Sequence, residues 1–174
     1  MDRPRITIRT LEERDWPEVR EIFDDIVGSA ETFTYDVRGD HEEVPILWLE
    51  NSGGQTVVAV APDGTVLGTA KMGKNQRGPG SHVATASFMV ARATRRQGVG
   101  RQLCEYAMTW AREQGFLAMQ FNAVVSANAP AVQLWQSLGF AIVGTVPGGF
   151  RHPKQGLVDL YIMHRWLSDT PDQS

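Results

Sequence analysis

Residues 82–113 constrain the fold more tightly than any other stretch. HVATASFMV alternates as a strand does, RQLCEYAMTWARE carries its apolar residues at helical spacing, and only ARATRRQGVG lies between them. A chain leaving a strand for a helix across so short a loop needs backbone freedom, which Gly98 and Gly100 supply. The first helical turn has N–H groups without intrahelical partners, and Arg95, Arg96 and Arg101 add positive charge beside it. The N–H groups of Gln97, Gly98, Val99, Gly100 and Arg101 therefore suit an anion. The plainer alternative is that the glycines permit close strand-to-helix packing while the arginines are solvated.

Two familiar phosphate motifs do not fit. A P-loop requires Lys-Ser or Lys-Thr after its last glycine, and Gly100 is followed by Arg101-Gln102. The dinucleotide fingerprint requires a third glycine where Leu103 stands, within an early strand-helix-strand unit that this chain lacks.

The remaining elements follow from periodicity. RITIRT reads as a first strand, and DWPEVREIFDDIV as a helix with Asp15 as N-cap, Glu18 three residues on, and a stripe of Val19, Ile22, Phe23 and Ile26. A weaker helical stretch spans His41 to Glu50, limited by Pro45, and TVVAVAPDGTVLGTAKMG is a hairpin turning at Asp63-Gly64. In the helix after the glycine turn, Val99, Leu103, Ala107, Trp110 and Ala111 share a face that ends at Gly115. FLAMQFNAVV is the next strand. Asn128 and Pro130 open a helix whose Ala131, Leu134, Trp135 and Leu138 share a face, with Gly139 as its C′ residue. FAIVGTV and GLVDLYIMHRWL are the last strands, joined by PGGFRHPKQ as a loop. The expected order is β, α, α, β, β, β, α, β, α, β, β: a mixed α/β sheet with helices on its faces.

With 174 residues, 42% of them hydrophobic, the chain is expected to form a single domain over residues 1–174. A net charge of −3 with scattered basic residues gives neither a nucleic-acid nor a membrane footprint. The lone Cys104 reads as a packing residue, and MDRPRITIRT lacks the apolar run of a signal peptide, so a cytoplasmic location is expected. His41, His82, His152 and His164 fall on unrelated elements, and no metal site is expected.

RRQGVG resembles the [QR]xxGx[GA] signature of the GNAT superfamily of acetyl-CoA-dependent N-acetyltransferases, with Arg95 in the first position. FMVARATRRQGVGRQLCEYAMTWAREQGF looks like that family's strand, turn and helix, and NAPAVQLWQSLGF like its later Asn, helix and Gly-Phe signature. The resemblance implies a mostly antiparallel, splayed central sheet and acetyl-CoA as cosubstrate. Its pyrophosphate would sit on the glycine turn, and its pantetheine arm along Phe88, Met89 and Val90, with an oxyanion held near Val90. Asn128 matches the asparagine that contacts the cofactor arm, and a homodimer is the family expectation.

Three departures refine this. The tyrosine that many members place seven residues after that asparagine is here Trp135, which reads first as core and otherwise as a ring beside the thioester. SAETFTYD resembles phosphinothricin-type acetyltransferases, yet Thr85 stands where their glutamate base is expected. His82 and His152 are the other candidate bases, each reading more simply as a surface histidine. FNAVVSANAPAVQLWQSLGF resembles the fungal acetyltransferases acting on proline analogues, whose two asparagines map to Asn122 and Asn128. Asn122 either lines a polar pocket or satisfies a bulge. The expected reaction is direct attack of a small amine, an amino acid or its analogue, on the thioester, with Phe33, Tyr35, Asn122, Phe150 and Arg151 around the acceptor. The alternatives are an acetyl-CoA sensor without turnover and a protein or peptide acetyltransferase.

Overall fold

The computed structural model describes residues 5–36, 44–49 and 53–168. Strands β1 (Thr7–Thr10), β2 (Gln55–Val60), β3 (Val66–Lys74), β4 (Val83–Val90), β5 (Ala118–Val125), β6 (Ala141–His152) and β7 (Gly156–Trp166) form one sheet in the order β1-β2-β3-β4-β5-β7-β6. Helices α1 (Trp16–Gly28) and α2 (Val44–Trp48) cover one face, burying Val19, Phe23 and Trp48 against Val58, Val66 and Met89. On the other face lie α3 (Val99–Glu113) and α4 (Ala129–Ser137), which pack Leu103, Ala107 and Trp135 on Ala70, Ala86 and Phe121. The sequence-derived order of elements holds throughout. Every pairing is antiparallel except β4 with β5.

That exception shapes the molecule. β4 and β5 pair only at Val83↔Ala118 and Ala84↔Met119, after which they diverge. β5 carries a bulge between Phe121 and Val124 in its pairing with β7, and a bulge bends its strand. The sheet is therefore splayed, as the family resemblance implied.

Several local expectations need correction. Asp15 does not cap α1 with its side chain. Its carboxylate instead accepts two bonds from the Arg9 guanidinium, at 2.7 and 2.8 Å, and one from the Glu12 N–H at 2.8 Å. A bidentate charged partner outcompetes a single neutral N–H. Glu18 likewise turns outward to accept from the Val66 N–H on β3. PGGFRHPKQ is not a loop, because β6 continues to His152 and only 153–155 turn; its register shift between Val146 and Phe150 absorbs the Pro-Gly-Gly run. The helix at 41–50 is α2, and His41 and Glu50 lie outside the described residues.

Gly68 on β3 sits where α3 crosses the sheet. A Cβ there would stand 2.8 Å from the Met89 carbonyl oxygen and 3.1 Å from Val99 Cγ1. Gly68→Ala is expected to destabilise the protein by about 1–3 kcal/mol, measured by denaturant unfolding. Asp15→Asn should cost about 1.5–3 kcal/mol at pH 7. The Arg9 hydrogen bonds hold the Asp15 carboxyl below the usual carboxylate range. Its contribution is thus complete above pH of about 4 and fades as pH falls through the lowered native value. An acid titration of unfolding free energy should converge for wild type and variant at low pH.

Candidate active site

A cavity of about 830 Å³ runs between α3 and α4, through the gap between β4 and β5, to the loop after α1. Its two ends are built differently. At one end, Arg95, Arg96, Gly98, Val99, Gly100 and Arg101 line the wall. The first main-chain bond of α3 joins the Gln102 N–H to Gly98 O, which leaves the N–H groups from Gly98 to Arg101 without main-chain acceptors. Gln97 is set apart, because its N–H donates to Thr94 O and it does not line the cavity. Gly98 has φ +84, and Arg96 has φ +66, a left-handed conformation unusual for a non-glycine residue. A Cβ on Gly100 would lie 3.4 Å from Leu134 Cδ2 and 3.7 Å from Val90 Cγ2, so any longer side chain would fill the space between α3 and α4.

Along the gap, alternation decides which backbone groups are free. His82 O accepts from the Leu117 N–H beside β5, whereas Val83 O accepts from the Asn75 N–H and the Ala91 N–H donates to Leu67 O on the β3 side. Even-numbered residues therefore face β5, and beyond Ala84 the main-chain groups of Ala86, Phe88 and Val90 point into the gap. Met89 faces β3, and its side chain is buried under α1, so it does not line the cavity as expected. Asn128 does line it, while its Oδ1 accepts from the Ala131 N–H as the α4 cap.

Trp135 is at once core and wall. Its ring lies 5.0 Å from Phe88 and 5.1 Å from Phe121 by centroid, and it is 8% exposed. Asn122 bonds to neighbouring side chains rather than to a backbone group of the bulge. It sits at the β5 bulge on the cavity wall, donates through Nδ2 to Asn75 Oδ1 at 2.6 Å, and accepts from Gln120 Nε2.

The far end is formed by Phe33 and Tyr35, whose rings stack 5.7 Å apart, with Ser87, Glu31 and His152. Phe150 and Arg151 do not reach it: Phe150 is buried elsewhere and Arg151 points to solvent. Because β6 extends further than the sequence suggested, the residue it delivers is His152, which is buried rather than on the surface. Its Nδ1 accepts from the Lys154 and Gln155 N–H groups at 3.2 Å, which fixes the ring with Nε2 as the protonated nitrogen. Glu31 is a wall residue that sequence reasoning missed, although SAETFTYD contained it. The Lys154 ammonium at 2.8 Å holds its carboxyl below the usual range and ties the loop after α1 to the β6–β7 turn. His82 is remote, with its Nδ1 against Pro79 O. Among the described residues no cluster of His, Cys, Asp and Glu is placed to hold a metal, and no helix is long and apolar enough to cross a membrane.

The family model of the acetyltransferase (GNAT) family matches residues 8–140. Among solved structures, a GCN5-related N-acetyltransferase from Kribbella flavida is 52% identical, with 92% of this chain and 97% of that chain covered and a TM-score of 0.89. The L-amino acid N-acetyltransferase AaaT of Escherichia coli (strain K12) is 28% identical over 147 residues, 80% of this chain and 85% of that protein. The N-acetyltransferase aca1 of Schizosaccharomyces pombe is 31% identical over 99 residues, 56% of this chain and 47% of that protein. The chain thus spans about half the length of the first curated relatives it matches.

Cys104 takes no part in the cavity wall. It is fully buried on α3, and burial pushes its thiol up to about 12. At pH 8 the thiolate fraction is then on the order of one in ten thousand. Iodoacetamide at pH 8 is expected to leave the native protein unmodified over hours and to alkylate it within minutes in denaturant, followed by intact mass.

Proposed function

The chain belongs to the acetyltransferase (GNAT) family, and from that premise we propose that it transfers the acetyl group of acetyl-CoA to the amino group of a small amino acid or amino-acid analogue. The observation that carries this reading is the continuity of one cavity from a helix terminus with unpaired N–H groups, past unpaired strand groups, to an aromatic end at Phe33 and Tyr35. The residues fit the cosubstrate chemically. Free N–H groups from Gly98 to Arg101 with three arginines suit a pyrophosphate, and the main-chain donors and acceptors of Ala86, Phe88 and Val90 suit an arm rich in amides.

Acetyl-CoA supplies an activated thioester. The protein's part is placement: Val90 and its even-numbered neighbours offer N–H groups to a developing oxyanion, Asn128 faces the cofactor arm with its free amide N–H, and Asn122 stands beside the attacking amine. His152, with Nε2 as donor, serves as a hydrogen-bond donor at the acceptor end rather than as a base. The L-amino acid acceptor in the name of the Escherichia coli relative supports an amino acid as acceptor.

The decisive measurement is thiol release from acetyl-CoA across free amino acids, proline analogues and short peptides, with Gly100→Trp as control. Release that depends on an amino acid and vanishes in Gly100→Trp, with the unfolding transition of that variant retained, is the expected result. Tight acetyl-CoA binding without acceptor-dependent release would establish the sensor reading, and peptide-only release would establish protein acetylation.

A further inference from the structure

Charge is unevenly distributed along the cavity. Arg95, Arg96 and Arg101 stand at the glycine-turn end. Near the aromatic end the cations are largely taken, with Lys154 paired to Glu31 and Arg92 to Asp25. Lys71 is different: no carboxylate of the described residues pairs with it. It lies on β3 directly opposite Ser87 of β4, and Ser87 lines the cavity. Its ammonium sits 5.9 Å from the centroid of Tyr35, another wall residue, and 5.5 Å from that of Trp48, while one N–H donates to Leu47 O at 2.8 Å.

This ammonium is held before any ligand arrives. The Trp48 indole N–H donates to Thr69 Oγ1 at 2.9 Å, and the Thr69 hydroxyl donates to Val57 O at 2.8 Å, so the ring beneath Lys71 is anchored in the core. Thr69 is two residues before Lys71 on the same strand face, which makes sheet, ring and ammonium one rigid unit. An ammonium has three N–H groups, and among the described residues only one of them has an acceptor. Lys71 does not itself line the cavity, but a partly exposed cation with spare donors and no counter-charge among the described residues, next to the wall residues Ser87 and Tyr35, is arranged for an anionic group that arrives with the acceptor.

We propose that Lys71 receives the carboxylate of the acceptor amino acid and thereby selects free amino acids over uncharged amines. This rests on the amino-acid transferase reading above. The amino group of the same molecule then faces Ser87 and the β4–β5 gap, where its nitrogen bonds to the acetyl carbon as the C–S bond breaks and coenzyme A leaves as the thiol carrying the amine's proton, with Tyr35 and Phe33 bounding the side chain.

The test measures kcat and KM for the twenty free L-amino acids, each beside its carboxamide, with wild type, Lys71→Met and Lys71→Arg. Wild type is expected to prefer the acid to the amide by roughly ten- to a hundredfold in kcat/KM. Lys71→Met should lose most of that preference through KM, and Lys71→Arg should keep part of it. If Lys71 only ties α2 to the sheet, Lys71→Met will lower the unfolding temperature and depress acid and amide together, which overturns the proposal. Retained preference in Lys71→Met overturns it as well. Should that variant fail to fold, the wild-type ratio and Lys71→Arg still decide, since wild-type indifference to the carboxylate is a refutation. Turnover of no amino acid or amide by wild type would instead overturn the transferase reading itself.

Discussion

Beyond Ala84 the β5-facing backbone groups of β4 have no strand to bond, and the design of the cavity follows from that deficiency. Unpaired N–H and C=O groups are tolerated only where water or a ligand can reach them. The two core clusters on opposite faces of the sheet hold β4 in place, so the gap stays open rather than collapsing. β4 and β5 part after Ala84 and Met119, and the bulge at Asn122–Ala123 in the pairing of β5 with β7 bends β5 beyond that point. A single interruption in strand pairing thus creates a slot lined with peptide groups in the middle of a rigid sheet. The helix that starts immediately after β4 aims its own unpaired N–H groups at one end of that slot.

Strain is concentrated at the same place. Arg96 and Gly98 both take positive φ within the turn, and Gly98 bears no side chain to oppose it while Arg96 does. Holding a charged residue in that conformation costs on the order of 1–2 kcal/mol. Glycine at position 96 would remove the cost and the charge together. Arginine held in that strained conformation places positive charge beside the cavity mouth.

Most of the fold was legible because its signals are local. Strand alternation, helical stripes, the Asp63-Gly64 turn and the glycine stops at Gly115 and Gly139 each depend on residues within a few positions of one another. The glycine-turn end of the cavity was legible for the same reason, since one continuous segment builds it. The acceptor end is assembled from the loop after α1, the end of β6 and a bulge on β5, and nothing local announces that Glu31 and Lys154 meet across 123 positions. Pro147-Gly148-Gly149 reads as a loop by composition, yet an edge strand tolerates both residue types, so β6 ran on and delivered His152 in place of Phe150 and Arg151. Asp15 illustrates the same limit: its capping signature was real, but Arg9, six residues away on a strand, offered a stronger partner.

The wall carries neither the glutamate nor the tyrosine that the family resemblance led one to look for. Thr85 stands in the position of the expected glutamate and has its main-chain groups turned to β3, and Trp135 is locked between Phe88 and Phe121. Glu31 is held anionic by Lys154, and His152 is held as a donor by two backbone N–H groups. In the proposed reaction such a site contributes through placement, with cations at one end, unpaired peptide groups in the middle, and the Lys71 ammonium near the aromatic end. A thioester is already activated toward a neutral amine, so holding both partners in one rigid slot addresses the larger part of the barrier.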